Sequence, residues 1–142
     1  MKTLAQIEKV MHLRSVDLFS HCSAEEIIRI AAIAGERRFE EGEGIYETND
    51  SPDAIYCVVE GQVELRSDHS TKERLGAQQT FGVREILSGR LRTMQATASQ
   101  PTVALAIEAD DFFDLLSNNI DIVKALFREI LGQHSDGSGE GS

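Results

Sequence analysis

The hydrophobic positions divide the chain into two helical regions with a region of strands between them. Near the N-terminus, Thr3 and Gln6 form a candidate capping box, and the apolar residues around them recur at helical spacing. A second helix is predicted from a Ser-Ala-Glu-Glu capping box at Ser23 to Gly35, which is placed to end it. Leu18 and Phe19, in the connection between the two helices, are expected in the core.

The middle of the chain, from about Arg37 to Ile107, predicts short strands. Residues 62–66 and 93–98 alternate between polar and apolar, which is typical of half-buried strands, and residues 54–59 are apolar on both faces, as in a central strand. Turn residues separate these runs. The pattern favours a small barrel or sandwich over alternating strand–helix units.

The last region, Asp110 to Leu131, is again helical. Two acids stand in its predicted first turn, where they favour the positive end of the helix dipole. One amphipathic face follows, made of Ile122, Val123, Leu126, Phe127, Ile130 and Leu131. Gly132 is expected to end the helix, so residues 1–131 form one domain and residues 132–142 a flexible Gly/Ser-rich tail or linker.

Composition and charge restrict the function. A chain of 142 residues fits one domain, and its formal net charge of −10 repels nucleic acid over long range. No stretch approaches the ~18 apolar residues of a membrane helix, and the N-terminus lacks an apolar signal core. We therefore expect no nucleic-acid partner, no membrane insertion, and a cytoplasmic chain or the cytosolic part of a larger protein.

Candidate catalytic and metal-binding groups are scattered. The four histidines do not stand with acids at ligand spacing, and Cys22 and Cys57 have no paired neighbours, so no metal site is predicted. The two cysteines are expected to be free thiols, Cys57 as a core residue. Because no catalytic constellation is found either, we expect a protein that is not an enzyme and that needs no cofactor.

One basic segment stands out in this acidic chain. Residues 84–92 carry a formal charge of +2, so the rest of the chain carries −12. Gly82 permits close backbone approach, residues 83–87 could form a helical turn with free N–H groups, and a following arginine could close on a phosphate. The alternative is a solvated hairpin end whose arginines face water.

The motifs of the middle region resemble the cyclic-nucleotide-binding domain family, found in cAMP receptor proteins, kinase regulatory subunits and gated channels. The segment from Phe39 to Ile45 resembles its F-x-x-G-x-x-I turn, and the segment from Asp53 to Leu65 resembles D-x-x-Y-x-(I/V)-x-x-G-x-V-x-(V/L). The resemblance covers Leu13 to Leu131. It implies an eight-stranded jelly-roll (double-stranded β-helix) barrel flanked by N- and C-terminal helices.

The resemblance also implies a ligand site in residues 81–93, here called the cassette segment. The ligand-binding residues implied are Gly82, Val83, Arg84, Glu85, Ile86, Arg92 and Thr93. Arg92 would bind the phosphate, and Thr93 could favour a guanine nucleotide. The family's cassette reads F-G-E-x-A-L, but Val83 stands at its ribose-binding glutamate, and Glu85 replaces its small residue.

The function implied is a regulatory module that binds cAMP, cGMP or a related phosphate-bearing ligand. It would relay binding through its C-terminal helices to an effector domain or a partner protein. The alternative is a degenerate domain that binds no nucleotide and serves as a protein-interaction or dimerisation module, for example as a homodimer.

Overall fold

The computed structural model describes residues 3–141, with side chains described as far as Gly132. Five helices, one 3-10 helix (Asp17–Phe19) and eight strands lie in this range. The helices are α1 (Gln6–Arg14), α2 (Ala24–Ile33), α3 (Val83–Ser88), α4 (Ala109–Ser117) and α5 (Ile120–Gly141). The strands are β1 (Ala34–Phe39), β2 (Gly44–Tyr46), β3 (Ala54–Glu60), β4 (Val63–Ser67), β5 (Ser70–Leu75), β6 (Thr80–Phe81), β7 (Gln95–Ala98) and β8 (Thr102–Glu108).

The strands form two four-stranded antiparallel sheets with the orders β1-β8-β3-β6 and β2-β7-β4-β5. Pairing proceeds outward from the β4–β5 hairpin, so β3 pairs with β6, β2 with β7 and β1 with β8. The mainly β fold with flanking helices is confirmed. The predicted closed barrel is not, because no strand pairing joins the two sheets within the described residues.

The apolar residues form two core clusters on the two faces of the first sheet. Ile55 and Cys57 of β3 face the cluster that also holds the buried residues of the helices. Ala54, Tyr56 and Val58 face the cluster between the two sheets. Because β3 is covered on both sides, its pattern is apolar on both faces, as the sequence predicted for a central strand.

Helix boundaries follow the predictions in part. The Ser23 box is confirmed: Ser23 N donates to Glu26 Oε1 (2.7 Å), and Glu26 N donates to Ser23 Oγ (3.2 Å). The capping box at Thr3 was wrong, because Ala5 is the cap residue and its amide donates to Glu8 Oε1 (3.0 Å). Gly35 does not cap α2, since it pairs with Ala106 inside β1.

The C-terminal helices form where the sequence placed them, but α5 is longer than predicted. Its backbone is helical to Gly141, so Gly132 does not end it; one helical glycine costs only about 1 kcal/mol. The flexible tail at 132–142 stays a prediction, because the side chains of residues 133–142 lie outside the described part of the chain. No helix of the described part is long and apolar enough to cross a membrane.

Candidate functional site

Gly82 lets the chain pass close to a buried arginine. Its φ of +79° lies in the left-handed region, and α3 begins at the next residue. A Cβ atom here would lie 2.8 Å from Arg92 Nη1 and 3.2 Å from the carbonyl oxygen of Ala54. Any side chain at this position would both strain the backbone and displace the guanidinium. The sequence predicted that the backbone could approach another group closely at Gly82, and that group is the Arg92 guanidinium.

Arg92 is 1% exposed, and four of its five N–H donors have protein acceptors. Nη1 donates to the Gly82 carbonyl (2.7 Å) and to Glu85 Oε1 (2.9 Å). Nη2 donates to the Ala54 carbonyl (2.7 Å) and to Asp53 Oδ1 (3.2 Å). Nε is buried and has no acceptor among the described residues. Two carboxylates and two carbonyls therefore hold the guanidinium, and the phosphate contact expected of Arg92 stays a prediction.

Aromatic side chains contact both Arg92 and its acceptor Asp53. The guanidinium carbon of Arg92 lies 4.1 Å from the centre of the Tyr46 ring, within the range of a cation–π interaction. Tyr56 donates its hydroxyl to Asp53 Oδ2 (2.9 Å) and stacks on Phe81, with ring centroids 5.0 Å apart. Tyr46 of β2 therefore packs on Arg92, and Tyr56 of β3 binds its acceptor Asp53.

The charges of this network are set by burial and hydrogen bonding. Partial burial acts to raise the pKa of Asp53, but hydrogen bonds from Tyr56 and Arg92 outweigh it, and the pKa lies below its ordinary value of 3.8. Burial raises the pKa of Tyr46 to about 12, against the opposing charge of Arg92. At neutral pH, Asp53 is an anion that balances Arg92, and Tyr46 is uncharged.

A cavity of about 780 Å³ lies between the second sheet and α3. This volume is within the usual range of small-molecule sites. Tyr46, Leu65 and Phe81 supply aromatic and apolar walls on the sheet side. Glu129 and Ile130 of α5 also line it. One cavity is therefore bounded both by the cassette segment and by the C-terminal helix.

The structure brings most of the predicted ligand-binding residues to this cavity. The lining includes Gly82, Val83, Arg84, Glu85 and Thr93. Ile86 is not part of the lining, because it is buried in the core cluster beneath the helices. Arg92 is also absent from it, since its side chain is fully buried against Gly82 and Glu85. The ligand contacts of all seven residues remain predictions.

Sequence reasoning did not single out three residues of the site: Asp53, Tyr46 and Glu129. Asp53 had a signal, because it opens the D-x-x-Y motif on which the resemblance rests. Tyr46 and Glu129 had none. Strand packing brings Tyr46 over Arg92, and the docking of α5 brings Glu129 to the cavity.

The fold and site together define a class: an antiparallel β-sandwich domain with flanking helices and a cavity walled by its cassette segment. The chain belongs to the cyclic nucleotide-binding domain family, whose sequence model matches residues 36–119. The predicted family resemblance is thereby confirmed. Membership places the chain among regulatory domains of signal transduction.

The curated relatives include a regulatory subunit and an enzyme. The chain is 29% identical over 117 residues to the cAMP-dependent protein kinase type II regulatory subunit of Drosophila melanogaster, covering 79% of this chain and 31% of that protein. It is 25% identical over 116 residues to the cGMP-dependent 3′,5′-cGMP phosphodiesterase A of Dictyostelium discoideum, covering 82% and 13%. The chain thus spans less than a third of these relatives.

Solved structures share the fold. The N-terminal domain of a transcriptional regulator from Streptomyces coelicolor superposes with a TM-score of 0.81 at 22% identity, covering 92% of this chain and 94% of that one. The regulatory subunit of a cAMP-independent protein kinase A from Trypanosoma brucei gives 0.72 at 20% identity, covering 87% and 47%. At these identities the likeness concerns the fold alone.

Proposed function

We propose that this domain is a non-enzymatic regulatory module that holds a small ligand in the cavity and reports its presence through α5. The observation that carries the proposal is the shared wall: Val83 and Thr93 of the cassette segment line the same cavity as Glu129 and Ile130 of α5. A ligand that fills this space touches both elements at once. Binding and helix position are then coupled directly.

The mechanism is a population shift. A hydrogen bond links helix α5 to the end of the 3-10 helix: Ser20 Oγ donates to Glu129 Oε1 (2.9 Å). His21 Nε2 lies 3.5 Å from the same oxygen. Because Glu129 also lines the cavity, a ligand that contacts it favours one position of α5 over another. An effector domain or partner protein attached to α5 would read that change.

Cyclic nucleotides are the first ligands to test, and we expect cAMP and cGMP to bind weakly. Val83 offers no acceptor for a ribose hydroxyl, and four of the five N–H donors of Arg92 already have protein acceptors. Each missing charge-assisted hydrogen bond costs about 1.5–3 kcal/mol, or roughly ten- to a hundred-fold in affinity. The Thr93 hydroxyl, at the cavity wall, is the group that could favour cGMP.

The test is a titration of the ¹⁵N-labelled domain with cAMP and with cGMP, followed by NMR. The expected result is weak, saturable shifts at Gly82 and Thr93, accompanied by shifts at Glu129 and Ile130. Guanosine and adenosine serve as matched ligands without phosphate. Saturable shifts confined to other surfaces, or pocket shifts without any response in α5, would overturn the proposal.

A specific observation favours a second candidate, a protein-interaction module. Phe127 and Leu131 lie one turn apart on α5 and are 59% and 58% exposed. Such residues could meet a partner protein or a second copy of the chain. Analytical ultracentrifugation distinguishes the two: concentration-dependent dimerisation lost in Phe127→Ser, with no ligand response, would favour this reading.

The proposal includes a cytoplasmic location and a role without catalysis. Both cysteines are free and one is buried, which fits the reducing cytoplasm. The non-enzymatic role rests on the family and on the absence of a catalytic motif in the sequence.

A further inference from the structure

Glu85 stands between the cavity and Arg92. Its carboxylate accepts a hydrogen bond from Arg92 Nη1 at 2.9 Å, and Glu85 is part of the cavity lining whereas Arg92 is not. The Arg92 side chain has no exposed surface, while that of Glu85 is 14% exposed. A group that approaches the guanidinium from the cavity therefore meets the Glu85 carboxylate first.

The net charge of the cavity lining is also unfavourable to anions. Its acids are Asp17, Glu73, Glu85 and Glu129, against the single base Arg84. The formal charge of the lining is thus −3. A phosphate placed in this cavity is repelled by the acids while the buried cation behind them is already neutralised.

The uncharged part of the lining suits a different ligand. Tyr46, Leu65 and Phe81 offer apolar and aromatic surface, and Gln78, Thr80 and Thr93 carry neutral hydrogen-bonding groups. A small molecule with an apolar or aromatic body and neutral polar groups can use both.

We propose that Glu85 is the specificity-determining residue of this cavity: its carboxylate serves Arg92 as a built-in anion, so that the site selects small ligands without a phosphate. This inference rests on the proposed function, since it assumes that the cavity holds a ligand. A phosphate that approaches Nη1 of Arg92 from the cavity would have to displace Glu85 from it. The displaced carboxylate would then remain unpaired among the other acids of the lining.

The experiment compares two probes that differ in the phosphate, adenosine and cAMP, on three variants. Glu85→Ala removes the built-in anion, and Glu85→Gln removes only its charge and keeps a hydrogen-bond acceptor. Glu73→Gln is the matched control, because it also removes one acid from the lining but has no contact with Arg92. Calorimetry gives the affinities, and NMR of α5 gives the response.

Wild type is expected to bind adenosine at least as tightly as cAMP. In Glu85→Ala, the affinity for cAMP should rise by at least about ten-fold while that for adenosine changes little. Glu85→Gln should move the same way, and Glu73→Gln should change cAMP affinity by no more than about three-fold.

An unchanged affinity for cAMP in both folded Glu85 variants, or an equal gain in Glu73→Gln, would overturn the inference. Wild type binding cAMP ten-fold more tightly than adenosine would overturn it too. Should Glu85→Ala fail to fold, Glu85→Gln decides. A gain in cAMP binding without any response in α5 would leave the role of Glu85 standing and refute only the relay in the proposed function.

Discussion

At the residue scale, Arg92 joins segments that are far apart in sequence. Its guanidinium binds Gly82 and Glu85 at α3, binds Asp53 and Ala54 at the start of β3, and packs on the Tyr46 ring in β2. A buried cation held in this way contributes to structure whether or not a ligand is present. Loss of ligand binding in an Arg92 variant is therefore not, by itself, proof of a ligand contact.

Replacing Arg92 with alanine is expected to destabilise the domain by about 3–5 kcal/mol, because two carbonyls and two carboxylates lose the buried cation that binds them. Urea denaturation followed by circular dichroism measures the change. Arg90→Ala is the matched control, since Arg90 is exposed and should change stability by less than about 0.5 kcal/mol. Equal effects of the two substitutions would contradict the role of Arg92 in the fold.

Asp53 should make stability depend on pH in acid. The pKa of Asp53 in the native state lies below its ordinary value of 3.8. At a pH between the native and the ordinary pKa, the unfolded chain therefore binds more protons than the native state. The stabilisation is complete above the ordinary pKa and is lost as the pH falls through the lower native value. Asp53→Asn should weaken this loss, measured by urea denaturation from pH 5 downward. Asp68→Asn, an exposed control, should keep the wild-type profile.

Val83 stands at the position of the family's ribose-binding glutamate, so a substitution there tests whether a ribose contact can be introduced. Because Val83 lines the cavity, Val83→Glu puts a carboxylate where a sugar hydroxyl could donate to it. The affinities for cAMP and adenosine should both rise, by about ten-fold, since both carry the hydroxyl. Val83→Leu is the control without an acceptor. Unchanged calorimetric affinities in Val83→Glu would mean that the cassette segment binds its ligand differently.

At the scale of elements, α5 is attached by one face and exposed on another. Ile122, Ala125 and Leu126 are buried, whereas Phe127 is exposed. The predicted amphipathic face, which included Phe127 and Leu131, is therefore only partly in the core. This division separates the residues that hold α5 in place from those available to a partner.

A pair of substitutions on α5 tests this division. Ile122→Ala should cost about 2–5 kcal/mol of stability, because it removes buried methyl groups and leaves a cavity. Phe127→Ala on the next turn should cost less than about 0.5 kcal/mol. Denaturant unfolding compares them. A large loss in Phe127→Ala would show that α5 packs through its other face.

At the scale of the whole molecule, both core clusters meet on the first sheet. Cys57 is fully covered by the helices on one side of β3, and burial raises the pKa of its thiol to about 12. Its accessibility therefore reports on the unfolding of the entire domain.

Alkylation of Cys57 should require global unfolding. In the Cys22→Ser variant, which isolates Cys57, the rate of reaction with iodoacetamide at neutral pH should follow the unfolded fraction as urea is added. Mass spectrometry of intact protein gives the extent of labelling. Cys22 is only half-buried, so Cys57→Ser is the comparison. Labelling of Cys57 as fast as Cys22 in native protein would contradict a single cooperative domain.

The sequence by itself determined the features that depend on near neighbours. The Ser23 cap, the helical turn after Gly82 and the two-sided apolar pattern of β3 all follow from short-range hydrogen bonding and periodic burial. The Asp53–Leu65 motif pointed to the family. Only the tertiary structure decided the partners of Arg92, since Asp53 lies 39 residues away and Glu85 seven. Such pairings depend on how strands and helices pack, which no local pattern encodes.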